Sequence, residues 1–249
     1  MAEHMTSDPG PQPPIEFRSD VTVELVKSAA SDSDVIWAAR VSTKGEASLE
    51  DVDGDAERSK GLINYLMRDR HGTPFEHTSL TYFVSAPIFV FREFMRHRIA
   101  SYNEESGRYR ELRPVFYVPG PERNLVQQGK PGAYEFVPGT PEQHQLVVEE
   151  TKNACLTAYS AYQRMLEAGV AREVARGVLP VATYSSMYVT MNARALMNFL
   201  SLRTKRDDSH FPSYPQREIE MVADLMEQQW AELMPITHAT FEANGRVAP

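Results

Sequence analysis

The sequence predicts an α+β fold, a mixed sheet flanked by helices. Three observations lead there. Several stretches repeat apolar residues at helical spacing, as in Leu146 to Leu166 and in Ile219, Val222, Met226, Trp230 and Leu233. Short β-branched and aromatic runs such as Leu80-Thr81-Tyr82-Phe83-Val84 read as strands. The two kinds of segment are interspersed irregularly, which disfavours a regularly alternating parallel sheet.

Residues 1 to 17 are rich in Pro, Gly and Ser and carry no apolar period, so a disordered tail is expected there and a single domain over 18–249. Val21 to Val26 reads as a first strand and Asp34 to Val41 as a helix ending near Ser42. Asp55 to Arg70 carries Leu62, Ile63, Leu66 and Met67 at helical spacing, with Gly72 as its stop. Thr73-Pro74-Phe75-Glu76 has the form of a capping box opening a single turn. Pro87 then opens a helix bearing Ile88, Phe91, Phe94 and Met95, which delivers Arg92, Glu93, Arg96 and His97 near its end. Residues 114 to 141 read as one long connection, followed by the Leu146 helix. A shorter helix over Ala171 to Val178, a strand over Tyr184 to Thr190 and a helix capped by Asn192 and running to Arg203 complete the middle of the chain.

A length of 249 residues allows a substantial core, and 42% hydrophobic with 24% charged residues is an ordinary globular composition. No apolar run approaches the roughly 18 residues of a membrane span, and the start lacks a signal-peptide order, so a cytoplasmic protein without a membrane partner is expected. Cys155 is the only cysteine, which excludes intramolecular disulfides and thiol-rich metal sites. No metal is expected. His71 and His77 flank Glu76 without a third ligand at a recognisable spacing. The net charge of −8 argues against a chain whose business is coating nucleic acid, yet it permits a focused cationic pocket.

Positions 92 to 113 supply such a pocket, with six arginines and four glutamates around Gly107, tyrosines and small hydroxyls. Arginine binds phosphate through a planar fork and stacks on rings, which suits an anionic, planar ligand. A salt-bridged loop is the plainer reading. Arg172 and Arg176 lie one helical turn apart, either being available to pair with Glu173. Asn198 stands inside an apolar run on the same helical line as Arg194, so it either bonds backbone or holds a polar ligand. Cys155 sits on an apolar stripe without a cation to activate it, and Ser106 lacks a visible base.

Arg96-His97-Arg98, seven residues, then Ser106 resembles the signature of the flavin-dependent thymidylate synthases. Ser101-Tyr102-Asn103-Glu104 and Gly107-Arg108-Tyr109 agree with it. So do Ala39-Arg40-Val41-Ser42, Thr73-Pro74-Phe75-Glu76-His77, the block from Ala171 to Pro180, and Asn192-Ala193-Arg194 with Met197-Asn198-Phe199-Leu200. The resemblance implies the thymidylate-synthase-complementing protein fold and a homotetramer with FAD and dUMP sites between subunits. It implies reductive methylation of dUMP to dTMP, with 5,10-methylenetetrahydrofolate as carbon donor, NADPH as electron source and tetrahydrofolate released. For dUMP it implies Glu93, Arg96, Glu104, Ser106, Gly107, Arg108, Arg176 and Arg203. For FAD it implies Ser42, His71, Thr73, Glu76, Arg96, His97, Arg98, Ile99, Glu104, Asn192, Arg194 and Asn198. Relatives commonly carry a His shortly after the arginine matching Arg203. Here residues 204–215 lengthen that segment, and His210 is the candidate flavin contact.

Arg203 and Ser106 are the expected catalytic pair. Arg203 stabilises negative charge on the pyrimidine while Ser106 positions the substrate without attacking it. Two other readings compete. One is a single-stranded nucleic-acid-binding module using Tyr102 and Tyr109 as stacking platforms. The other is a flavin-binding relative without synthase activity.

Overall fold

The computed structural model describes residues 14–50, 56–130 and 133–249. These divide into two compact units where one domain was expected from residue 18. The smaller combines 14–19, 106–126 and 138–184, and the larger combines 20–105, 127–137 and 185–249. In chain order the elements are β1 (Glu16–Arg18), β2 (Thr22–Ala29), α1 (Asp32–Lys44), α2 (Ala56–Arg68), β3 (Ser79–Pro87), α3 (Ile88–Phe94), β4 (Ser101–Glu104) and β5 (Val115–Tyr117). There follow β6 (Val126–Lys130), β7 (Ala133–Val137), α4 (Pro141–Glu167), α5 (Arg172–Ala175), β8 (Tyr184–Met191), α6 (Ala193–Arg203), α7 (Arg217–Leu233) and α8 (Pro235–Ala243). The α+β class holds, but one mixed sheet does not form. The described strands make a four-stranded sheet and two two-stranded ones.

The larger unit is built on the sheet ordered β2-β3-β8-β4. β2 and β3 run antiparallel, with a register irregularity between Leu25 and Lys27, and β4 runs antiparallel to β8 with Ser101 opposite Thr190. The Thr81 and Thr190 hydroxyls meet at 2.9 Å across β3 and β8. Leu80, Tyr82 and Val84 are buried at period two on β3, in one core with Leu196, Phe199 and Leu200 of α6 and Val222, Met226 and Trp230 of α7. α6 buries Ala193, Ala195, Leu196, Met197, Phe199 and Leu200, while Asn198 and Leu202 are exposed.

α8 carries no side-chain cap of its own. Asp32 supplies one from α1, accepting from the Ile236 and Thr237 amides at 2.9 and 2.8 Å. Below it, Glu227 receives Arg246 at 2.7 Å, His238 at 3.0 Å and Arg206 at 3.2 Å. Burial works against the Glu227 charge, but His238 and the two guanidiniums outweigh it and hold the carboxyl below its ordinary value.

In the smaller unit β1 lies parallel to β5, with Phe17 opposite Phe116. Glu16 and Phe17, expected within a disordered tail, lie in β1, and the Glu16 amide donates to the Pro114 carbonyl at 2.8 Å. Residues 1–13 of that expectation lie outside the described residues. α4 begins with a capping box between Thr140 and Gln143 and Pro141 in its first turn. It buries Cys155, Tyr159 and Tyr162 against Phe116 and Ala175.

Several local expectations change. Gly72, not Thr73, precedes the 3₁₀ turn Thr73–His77, and no side chain caps that turn. A Cβ on Gly72 would collide with the Arg194 guanidinium and the Pro249 carbonyl, so the backbone there answers to a tertiary contact. The connection from 114 to 141 contains β5, β6 and β7. Helix 171–178 is one α-turn followed by a 3₁₀ turn over Arg176–Val178.

Candidate active site

α6 delivers Arg203, and Asn192 sets where that helix begins. Its Oδ1 accepts from the Ala195 amide at 2.8 Å, and the Thr78 hydroxyl accepts from the Ala193 amide at 2.8 Å. α3 ends at Phe94, one turn before the expected delivery of Arg96 and His97. The Arg96 and His97 amides bond back to Glu93 and Phe94 at 3.2 and 2.8 Å, so the chain leaves the helix through tight turns.

There Arg203 is bracketed. Its Nη1 donates to Glu93 Oε2 at 2.5 Å, its Nε to His97 Nε2 at 3.1 Å, and its Nη2 reaches the Glu93 carbonyl at 3.4 Å. Because His97 Nε2 accepts, the ring is neutral with its proton on Nδ1. Burial and the adjacent guanidinium push His97 down to about 4, in agreement with that state. Burial lifts the Glu93 carboxyl above its ordinary value; Arg203 opposes the lift and Glu218 adds to it. Glu93, expected on the nucleotide, pairs with Arg203.

Arg203 also lines a cavity of about 490 Å³ with Phe211, Ser213, Tyr214 and Arg246. Sequence reasoning missed these walls. Their only signal was two aromatics in a polar, proline-flanked segment. That segment is anchored: Ser213 donates to the Thr204 carbonyl at 2.5 Å, Arg246 to the Thr204 hydroxyl at 3.0 Å, and the His210 amide to the Gly245 carbonyl at 2.9 Å. The His210 ring meets Phe211 edge-on at 4.6 Å.

Arg96, Arg98 and Ile99 are exposed, and neither arginine has an ion-pair partner among the described residues. Glu104 is exposed on β4 opposite Met187, so the cradle expected as a loop is partly strand. Arg194 donates to Glu76 at 2.5 Å and to the Pro249 carbonyl at 2.6 Å. The Asn198 side-chain amide donates to the Arg194 carbonyl at 3.1 Å, and the residue is exposed. His71 stacks on Tyr65 at 5.4 Å, Thr73 is exposed, and the Ser42 hydroxyl donates to the Ala39 carbonyl.

The smaller unit holds the remaining candidates. Ser106 accepts from the Arg108 amide with its hydroxyl at 3.3 Å and from the Tyr109 amide with its carbonyl at 3.1 Å, closing a turn. A Cβ on Gly107 would approach Leu112 at 3.0 Å and Arg176 at 3.1 Å, so glycine permits this packing. Arg108 pairs with Glu173 at 3.0 Å, the partner expected for Arg172 or Arg176. Arg176 is exposed without an ion-pair partner among the described residues.

This is an α+β protein with exposed arginines that have no ion-pair partner among the described residues and a bracketed arginine beside a cavity, and guanidiniums are donors of the kind that bind phosphate. The chain belongs to the family described as thymidylate synthase complementing protein, whose profile matches residues 24–236. It is 69% identical over 246 residues to the flavin-dependent thymidylate synthase of Streptomyces coelicolor, covering 98% of this chain and 100% of that protein. A protein of the same name from Thermotoga neapolitana is 42% identical over 219 residues, covering 88% and 89%. The crystal structure of a UMP/dUMP methylase from Streptomyces cacaoi bound with 5-Br dUMP superposes with a TM-score of 0.90. It is 59% identical, covering 94% of this chain and 100% of that one.

Proposed function

We propose that this chain is a flavin-dependent thymidylate synthase converting dUMP to dTMP. 5,10-Methylenetetrahydrofolate gives the one-carbon unit and becomes tetrahydrofolate, and NADPH becomes NADP⁺. The observation that carries the reading is a bracketed Arg203 in a chain without a usable thiolate. Cys155, the only cysteine, is 1% exposed, and burial pushes its thiol up. A synthase that activates C5 of the pyrimidine through a cysteine is therefore excluded. Bound FAD supplies the hydride.

The residues fit that cofactor. Exposed Arg96 and Arg98, with Arg194 beside Glu76, offer charge-assisted donors to a diphosphate. His97, Ile99, Asn198, Thr73, His71, Ser42 and His210 complete the proposed flavin set, with Asn192 acting through its cap on α6. Arg203 stabilises negative charge as C5 becomes nucleophilic. Arg108 and Arg176 bind the substrate phosphate, Ser106 and Gly107 shape the turn that receives it, and Glu104 orients the base. Completing both sites requires self-association, which we assign as a homotetramer, and the protein works in the cytoplasm. Among the described residues no helix is long and apolar enough to cross a membrane.

Gel filtration after incubation with FAD, then titration with dUMP, tests the reading. Co-eluting flavin whose spectrum shifts with dUMP, and turnover on adding NADPH and the folate, are expected. A colourless protein that ignores dUMP would reject it and revive the nucleic-acid-binding module. A shift without turnover identifies the flavin-binding relative. The name of the Streptomyces cacaoi structure supports UMP as a second substrate, so UMP is assayed beside dUMP.

A further inference from the structure

We propose that His97 is a positioning residue for Arg203, its ring accepting the Nε–H bond that, with Glu93, holds the guanidinium in place for the substrate. This rests on Arg203 as the group that faces the pyrimidine. An arginine offers five N–H donors, and the bracket engages three nitrogens. Two N–H groups are then left for a ligand, on a side chain that lines the cavity. A guanidinium held on one side presents the remaining donors in one orientation, whereas a free one samples several.

His97 is itself fixed from two directions. Its ring meets Phe199 edge-on at 4.9 Å, and Phe199 stacks on Phe94 at 4.8 Å. Its carbonyl lies 2.7 Å from the Tyr102 hydroxyl, which is also 2.9 Å from the Phe94 carbonyl. The charged groups around the ring are Arg203 from α6 and Glu93 from α3, with Glu218 of α7 acting on Glu93. A neutral acceptor suits this place. It orients the guanidinium without cancelling more of the positive charge that Glu93 already balances.

The test uses FAD-loaded wild type, His97→Phe and His97→Gln. Gln keeps an acceptor and Phe keeps only bulk. With all three proteins assayed at saturating FAD, we expect the Phe variant to lose about tenfold or more in kcat with a smaller change in KM for dUMP, and Gln to recover most of the loss. Equal kcat in Phe and Gln at saturating FAD would overturn the proposal.

A second readout does not depend on turnover. Ring ¹⁵N shifts of His97 should report a neutral Nδ1–H form near neutral pH, titrating at higher pH in Arg203→Ala. Unchanged titration in that variant sinks the inference. If wild type binds neither flavin nor dUMP while the ring behaves as described, the functional reading fails and the positioning contact stands.

Discussion

Two arginine–glutamate pairs in this molecule have the same chemistry and different physics. In the larger unit the Arg203 and Glu93 side chains are 18% and 24% exposed, and a second acceptor, His97, holds the same guanidinium. In the smaller unit the Arg108 and Glu173 side chains are 54% and 55% exposed, and Arg108 also lies over Tyr109 at 5.7 Å. Water screens the second pair and competes for its donors, so it is worth about 0–1 kcal/mol and exchanges readily. The first is partly desolvated, so its geometry persists. The contrast suits a division of labour. Under the proposed roles, the exposed Arg108 would capture a phosphate arriving from solvent, and the bracketed Arg203 would meet charge that develops at a defined place.

The largest expected effect would break that division. Arg203→Ala should lower kcat by about 10²–10³-fold, the loss seen when a charge-stabilising donor is removed, while flavin still co-elutes. Near-normal turnover would move the pyrimidine-facing role elsewhere. Arg108→Ala should act on binding, raising KM for dUMP about tenfold with kcat little changed, the size of one charge-assisted hydrogen bond. A fall in kcat without a rise in KM would contradict phosphate capture.

Stability against pH sharpens the comparison further. His97 is pushed down to about 4 from an ordinary 6.5, so between these values the unfolded chain binds a proton that the folded protein refuses. Stability contributed by the neutral ring is complete above about 6.5 and is lost as pH falls towards 4. Chemical denaturation from pH 7 to 4.5 should show a shallower fall in His97→Phe than in wild type. Glu93, shifted in the opposite direction, is present in both proteins. Parallel curves would place the ring in solvent. The smallest effect belongs to Glu173→Gln, which should change unfolding free energy by no more than about 0.5 kcal/mol. A larger loss would make the exposed pair structural.

Legibility followed how local each interaction is. The Asn192 cap was readable because it spans three residues, and the α7 stripe because burial on one face leaves a helical period. β4 was not readable. Ser101-Tyr102-Asn103-Glu104 has little β-propensity in its polar members and is a strand because β8 pairs with it. α8 escaped because its cap, Asp32, lies 204 residues away in sequence from Ile236. The site divides likewise. The arginines and their order were legible as a resemblance. That Glu93 and His97 grip Arg203, across 110 and 106 residues, was not.

By itself, then, the sequence determined composition, most helices, the family signature and the want of a reactive cysteine, all properties of residue identity and short spacing. Tertiary structure decided which charges are bracketed and which lack an ion-pair partner among the described residues, that Asn198 bonds its own helix, and that residues 211–215 wall a cavity beside Arg203. The reason is physical. A side chain's charge state and freedom depend on desolvation and on neighbours brought close by packing, and a linear spacing encodes neither.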